Sequence, residues 1–171
     1  MEYSSVTEYL SATEYLSVTR FNNETFKQYR DFHEKNDEPG CVYNVPRLIN
    51  SKGLRPNKVM YVLEMNNSEN KIMGIGRIRN LMKDCRSKAY KIYDDYNYNR
   101  YTYMGTKRLK IEQLDDEDQR IIRDLETYCF KGKGHLKRGS GIQLAPYKEW
   151  IKKGCILDNI NYFKVLFKKY D

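Results

Sequence analysis

Apolar and polar positions alternate along this chain in blocks short enough to separate strands from helices. Phe26, Tyr29 and Phe32 or His33 recur every three or four residues, which predicts a helix over Glu24–Lys35 capped by Asn22 or Asn23 and stopped at Pro39-Gly40. Cys41–Ile49 follows as an extended stretch in which Pro46 forces an edge or a loop, and Ser51–Asn57 is a turn-rich connector. Lys58–Met65 places Val59, Tyr61, Leu63 and Met65 on one strand face, and Lys71–Arg79 returns after the polar turn Asn66–Asn70. Gly74 and Gly76 share a face of that second strand, where something large or another backbone approaches closely. Arg77 and Arg79 share the opposite face. Lys83–Asn99 has no clean period and reads as a long loop. Arg100–Met104 and Lys107–Glu112 read as two strands around Gly105.

The most regular helix is Asp115–Phe130. Asp115 and Asp116 offer the cap, acids fill the first turn, and Ile121, Leu125, Tyr128 and Cys129 form an apolar stripe. A glycine-rich segment ends it, Ile142–Ala145 is a last strand, and Pro146 and Gly154 bracket a short helix containing Trp150. Asp158 caps a C-terminal helix whose Ile160, Phe163, Phe167 and Tyr170 face the core. The first twenty residues differ in kind. Thr7–Ala12 (TEYLSA) is followed at once by Thr13–Val18 (TEYLSV), and two copies are too few for a solenoid. Residues 1–20 therefore read as a flexible or loosely docked appended segment, and 21–171 as a single domain. Strands lie centrally and helices flank them at both ends, which predicts an α+β fold with a small mixed or barrel-like β-sheet.

At 171 residues with 40% hydrophobic and 32% charged side chains, the chain is long enough for one core and unlike a disordered tail. No apolar run approaches the ~18 residues of a bilayer span. The polar, acidic start does not suit a secretory leader, so an intracellular, reducing compartment is expected. Cys41, Cys85, Cys129 and Cys155 stand far apart with no CxxC. They read as reduced thiols packed as small apolar residues, and no metal or cofactor is expected.

Charge sharpens the picture. The net charge is +8, placed unevenly. Gly76–Glu112 carries ten Lys and Arg against four Asp and Glu, and Thr127–Gly154 carries seven against one. Asp115–Glu126 between them carries two against six. Basic blocks of this kind attract a polyanion through counterion release, although a solvated Lys-rich surface has the same composition. The loop Lys131–Gly141 (KGKGHLKRGSG) supplies Lys131, Lys133, His135, Lys137 and Arg138 among four glycines, a pairing of cations with open backbone that suits phosphate. A mobile surface loop has the same content. It is not a Walker loop, since Ser140 follows Gly139 where Lys is required. Tyr90, Tyr93, Tyr96, Tyr98, Tyr101 and Tyr103 interleave with Arg86, Lys88, Lys91 and Arg100. Flat rings beside a basic track are how single strands are held, and Tyr101 and Tyr103 share one strand face. Core aromatics explain that pair equally well. Catalytic patterns are weak: there is no GxSxG or HExxH, and capping accounts for Asp115–Asp118. Sixteen tyrosines beside abundant Lys, Asn and Ile are what AT-rich coding writes.

The string FKGKGHLKRGSGI after an amphipathic helix, with the hairpin YVLEM…KIMGIGRIRN and RYTYMGTKRL upstream, resembles small PUA-like barrel proteins of large DNA viruses, over about Cys41–Trp150. That superfamily includes the EVE and YTH domains. The resemblance implies a barrel that holds a nucleic-acid base, often a modified one, between aromatic walls, and here Trp150, Tyr101 and Tyr103 are the candidate walls. Modified-base readers often use two or three tryptophans where this chain has one. The expectation is a nucleic-acid-binding module, not an enzyme. Arg77, Arg79, Lys131, Lys133, His135, Lys137 and Arg138 contact the backbone, and RNA or single strands are favoured over duplex DNA. Other viral proteins are further partners, in the cytoplasm of an infected host cell or in a virion. Two alternatives stay open: a virion structural or genome-packaging protein, and a small nuclease or nucleotide-processing enzyme using His135.

Overall fold

A computed structural model describes residues 14–37, 40–49, 54–83, 90–157 and 159–171. Strand β1 (Glu14–Phe21) leads into helix α1 (Asn23–Asn36), followed by β2 (Cys41–Val45), β3 (Val59–Asn66) and β4 (Lys71–Arg79). A 3-10 turn (Tyr96–Asn99) precedes β5 (Tyr101–Gly105) and β6 (Lys107–Lys110), then come α2 (Asp116–Phe130), β7 (Gln143–Leu144), α3 (Tyr147–Lys152) and α4 (Asn161–Lys169). The fold is α+β. Its main sheet is mixed, in the order β6-β4-β3-β1-β7, and β2 pairs with β5 in a second, two-stranded sheet. The described strands form an open sheet and a separate ladder rather than a closed barrel. Among the described residues, no helix is long and apolar enough to cross a membrane.

The main correction concerns β1. Residues 14–20, read from the repeat as an appended segment, run parallel to β3 from Glu14↔Val59 to Phe21↔Asn66 and pair with β7 on their other side. A strand paired on both edges and covered on both faces loses the polar-out alternation by which strands are recognised. Here Leu16 and Val18 join one core, Tyr15 and Phe21 the other, and the buried Ser17 hydroxyl donates to the Tyr61 carbonyl at 3.1 Å. The Thr7–Ala12 copy, Pro39, Ser51–Gly53, Cys85, Arg86, Lys88 and Asp158 lie outside the described residues.

The two cores lie on opposite faces of the sheet. One gathers Leu63, Met65, Ile75, Ile122, Leu125, Trp150 and Phe163 under α2, α3 and α4. The other gathers Tyr29, Tyr43, Met60, Val62, Ile78 and Tyr103 under α1 and the β2–β5 ladder. The stripe of α2 runs through Ile122, which is buried, and leaves Ile121 only partly covered. Its first turn is occupied by structure. Asp115 accepts the Asp118 N–H at 2.9 Å, while Asp118 accepts from the Tyr162 and Tyr170 hydroxyls at 3.0 Å each and from Lys169 at 2.7 Å, which fastens α4.

One polar cluster crosses the second core. Glu64, in the middle of β3, is 0% exposed. Its Oε1 accepts from Tyr29 (3.0 Å), Tyr43 (2.7 Å) and Arg108 Nε (2.8 Å), and its Oε2 accepts from Arg108 Nη2 (2.5 Å). Gly74 and Gly76 make room for it: a Cβ at 74 would lie 2.6 Å from Arg108 Nη2, and one at 76 would lie 2.0 Å from the Tyr43 hydroxyl. The crowding expected on that strand face is therefore this cluster. Burial, reinforced by the Glu64 charge, holds the Tyr29 and Tyr43 phenols well above the usual tyrosine range and pushes the Cys41 thiol up to about 12. Burial opposes the Arg108 charge, but Glu64 overrides it and raises that pKa.

Two outcomes follow from this architecture. Truncation of residues 1–18 removes most of a central strand and should abolish cooperative thermal unfolding; an unchanged melting temperature would show that β1 is dispensable. Unfolded tyrosines ionise near pH ~10, whereas Tyr29 and Tyr43 hold their protons in the fold. Their contribution is thus complete below pH ~10 and is lost as pH rises beyond it. Urea melts from about pH 8 to about pH 11 should show stability falling over the upper part of that range, and a flat profile would contradict the buried phenols.

Candidate functional site

At one end of the sheet four segments converge on a cleft of about 190 Å³. They are the end of β1 with its turn into α1 (Thr19–Asn22, Thr25), the end of β2 (Asn44–Pro46), Tyr93 with Tyr98, and the ridge Gly139–Gly141. Each has a local cause. Asn22 caps α1, its Oδ1 accepting the Thr25 N–H at 2.8 Å while its own N–H donates to Thr25 Oγ1 at 3.0 Å. That reciprocal pair fixes the angle at which β1 turns.

The tyrosine wall hangs on buried amides. Asn99 Oδ1 accepts from the backbone N–H groups of Ile92 (3.2 Å) and Tyr93 (3.1 Å), and its Nδ2 donates to the Tyr93 carbonyl (2.7 Å). Asn44 Nδ2 donates to Asn99 Oδ1 (2.9 Å) and to the Tyr90 carbonyl (2.5 Å), and Asn44 Oδ1 accepts from Thr102 (2.7 Å). A buried network with its members satisfied is rigid. It seats Tyr93 in the core, and Tyr98 stands edge-on against that ring at 6.1 Å while remaining 42% exposed.

The ridge is held by Arg20 of β1. Its Nε donates to the Leu136 carbonyl at 2.6 Å, Nη1 to the Gly141 carbonyl at 3.3 Å, and Nη2 to Gln143 Oε1. Burial lowers its pKa from the usual Arg value. Asn67 Nδ2 donates to the Lys137 carbonyl at 2.9 Å, and the Leu136 N–H reaches the Cys129 carbonyl at 2.7 Å. The glycine-rich loop is therefore tied at several points. Gly139 and Gly141 have φ of 97° and 78°, a region that side chains rarely enter.

The expected site residues separate. Lys131, Lys133 and Arg138 are exposed on the loop leading to the ridge, with Lys137 and His135 partly covered. Arg77 and Arg79 lie elsewhere. Arg79 is level with Val59 and Glu14, six positions before Arg20, about 20 Å at ~3.3 Å per residue. Arg79 Nη1 donates to the Asn57 carbonyl at 3.2 Å, and Arg77 lines a separate cleft with Lys107, Lys164 and Lys168. The expected stacking trio is not brought together. Trp150 is 3% exposed and stacks on Tyr128 at 5.9 Å inside the first core. Tyr103 is 3% exposed, with its hydroxyl accepting the Ile49 N–H at 3.0 Å. Tyr101, partly buried, sits opposite Val45 in the β2–β5 ladder. Burying large rings is the stronger demand on these positions. Tyr93 and Tyr98 take the place beside the loop, joined by Phe21, Asn22 and Arg20.

Comparison with models of known families, with curated proteins and with solved structures finds no match. What the cleft accommodates follows from its lining. Aromatic faces, hydroxyls and amides surround it, with Arg20 the one cation and neither a carboxylate nor a histidine among the described lining residues. Its described lining is mostly neutral, and Lys131, Lys133 and Arg138 are not among the residues that line it. Among the described residues no three His, Cys, Asp or Glu side chains gather as metal ligands.

Proposed function

We propose that the protein is a nucleic-acid-binding module that takes one unpaired base into the cleft between Tyr98 and the Gly139–Gly141 ridge. The observation that carries this is the coincidence of a small cleft, lined by aromatic and amide groups with Arg20 as its one described cation, with the exposed cations of the same loop. A cleft of about 190 Å³ is below the ~300–1,000 Å³ of drug-sized sites, which suits a single heterocycle. Lys131, Lys133 and Arg138 supply phosphate contacts that position the strand without reading sequence. Entry of a base requires that it leave its stack, so RNA loops and single strands are the favoured ligands over duplex DNA. The PUA-like resemblance and its base-holding pocket belong to the same proposal, with Tyr93 and Tyr98 in place of the walls first expected.

A second reading has its own support. Arg77, Lys107, Lys164 and Lys168 line a cleft at the far end of the sheet in which they outnumber Glu14 and Asp171, which suits a packaging protein that contacts backbone on several sides and needs no base.

Binding of a labelled single-stranded RNA separates the two. Tyr98 is exposed enough that Tyr98→Ala leaves folding intact. Stacking is worth ~1–3 kcal/mol per base, so affinity should fall roughly 5- to 150-fold with the salt slope unchanged. Lys133→Ala with Arg138→Ala should weaken binding to all sequences alike and reduce the slope by about 1.4. Unaltered binding by Tyr98→Ala would contradict the base cleft and favour packaging.

A further inference from the structure

The ridge has a second side. Beyond Gly139 and Ser140 lies another cleft of about 400 Å³, lined by Arg47, Leu48, Ile49, Ile142, Gln143 and Leu144 and sharing those two ridge residues with the first. Its character differs: aliphatic side chains dominate, and Leu48 is 52% exposed. Gly141 packs against Arg47, its Cβ position lying 3.6 Å from the Arg47 carbonyl, so the Arg47 segment and the ridge run side by side. Along the ridge, the backbone N–H groups of Gly139, Ser140 and Gly141 meet no backbone acceptor among the described residues. Arg47 and Arg138 flank them, both exposed.

We infer that the two clefts are adjacent nucleotide subsites, and that the ligand is a dinucleotide step of a single strand with its bases splayed across the ridge. This rests on the base-binding reading of the first cleft and adds the geometry of the neighbouring nucleotide. Three consecutive amides without a backbone partner, beside a serine hydroxyl, are donors of the kind that contact one phosphodiester. A phosphodiester seated there has one base on the Tyr98 side. The next base falls on the Leu48, Ile142 and Leu144 side, where aliphatic contact accepts any base face. Two bases divided by a protein ridge cannot stack on each other, so a continuous helix is excluded at this step. Specificity then resides in the polar first cleft, and the second contributes affinity.

The test compares nucleoside 5′-monophosphates with the matching dinucleoside monophosphates ApA, CpC, GpG and UpU, using NMR titration of the full chain. The dinucleotides carry less charge than the mononucleotides, so a gain cannot come from electrostatics. With at least one base the dinucleotide should bind about tenfold tighter or better, the size of one moderate stacking contact. Leu48→Ala, at an exposed position, should shrink that gain to roughly twofold while leaving mononucleotide binding unchanged. Equal affinity for the two classes would overturn the second subsite and leave the one-base reading standing. A gain that persists in Leu48→Ala would also overturn it, by placing the second base elsewhere. Binding of neither class, while a longer single strand still binds, would overturn the base cleft itself and the subsite with it.

Discussion

A carboxylate buried in the centre of a sheet is tolerated only if it is surrounded by donors, and the position of Glu64 on β3 imposes that condition on the rest of the molecule. Tyr29 must come from α1, Tyr43 from β2 and Arg108 from β6 to meet it. The adjacent strand must carry glycine at 74 and 76 to admit them, and the β3–β4 register shifts between Leu63 and Met65 where Glu64 sits. Removing one partner from such a buried pair typically costs ~3–5 kcal/mol, because the remaining charge has nowhere to go. The cluster therefore links α1, β2 and β6 to one another through β3.

The cleft depends on that arrangement. Tyr29 holds α1 against the sheet, and the Asn22 cap that begins α1 forms one side of the cleft. Tyr43 holds β2, and its neighbours Asn44–Pro46 form another. Asn44 carries the constraint onward to Asn99 and so to Tyr93. Arg20 then fixes the ridge from β1. The basic loop is thus held at a fixed place beside Tyr93 and Tyr98.

Much of this was legible in the sequence where the cause is local. The Asn22 cap, the Lys71–Arg79 strand and the meaning of Gly74 and Gly76 follow from spacing and residue type. β1 was not, because the repeat that ends at Val18 marks residues 1–20 as an appended segment, whereas Ser17 is buried against Tyr61 by pairing that sequence periodicity does not encode. Trp150 was misjudged for a similar reason: an aromatic beside a basic loop suits a ligand and a core equally, and only the packing of Tyr128 decides between them. Tyr93 and Tyr98 stood among six tyrosines in a stretch without period. Their placement comes from amide hydrogen bonds between Asn44 and Asn99, fifty-five residues apart.

Chemical-shift mapping by NMR during titration with a short single-stranded RNA tests the central claim most directly, since it reports every segment at once without altering any. The largest changes should fall on Asn22, Tyr98, Gly139, Ser140 and Gly141, with Lys133 and Arg138 following. Changes concentrated at Arg77, Lys107 and Lys164, with the Gly139–Gly141 amides silent, would contradict it.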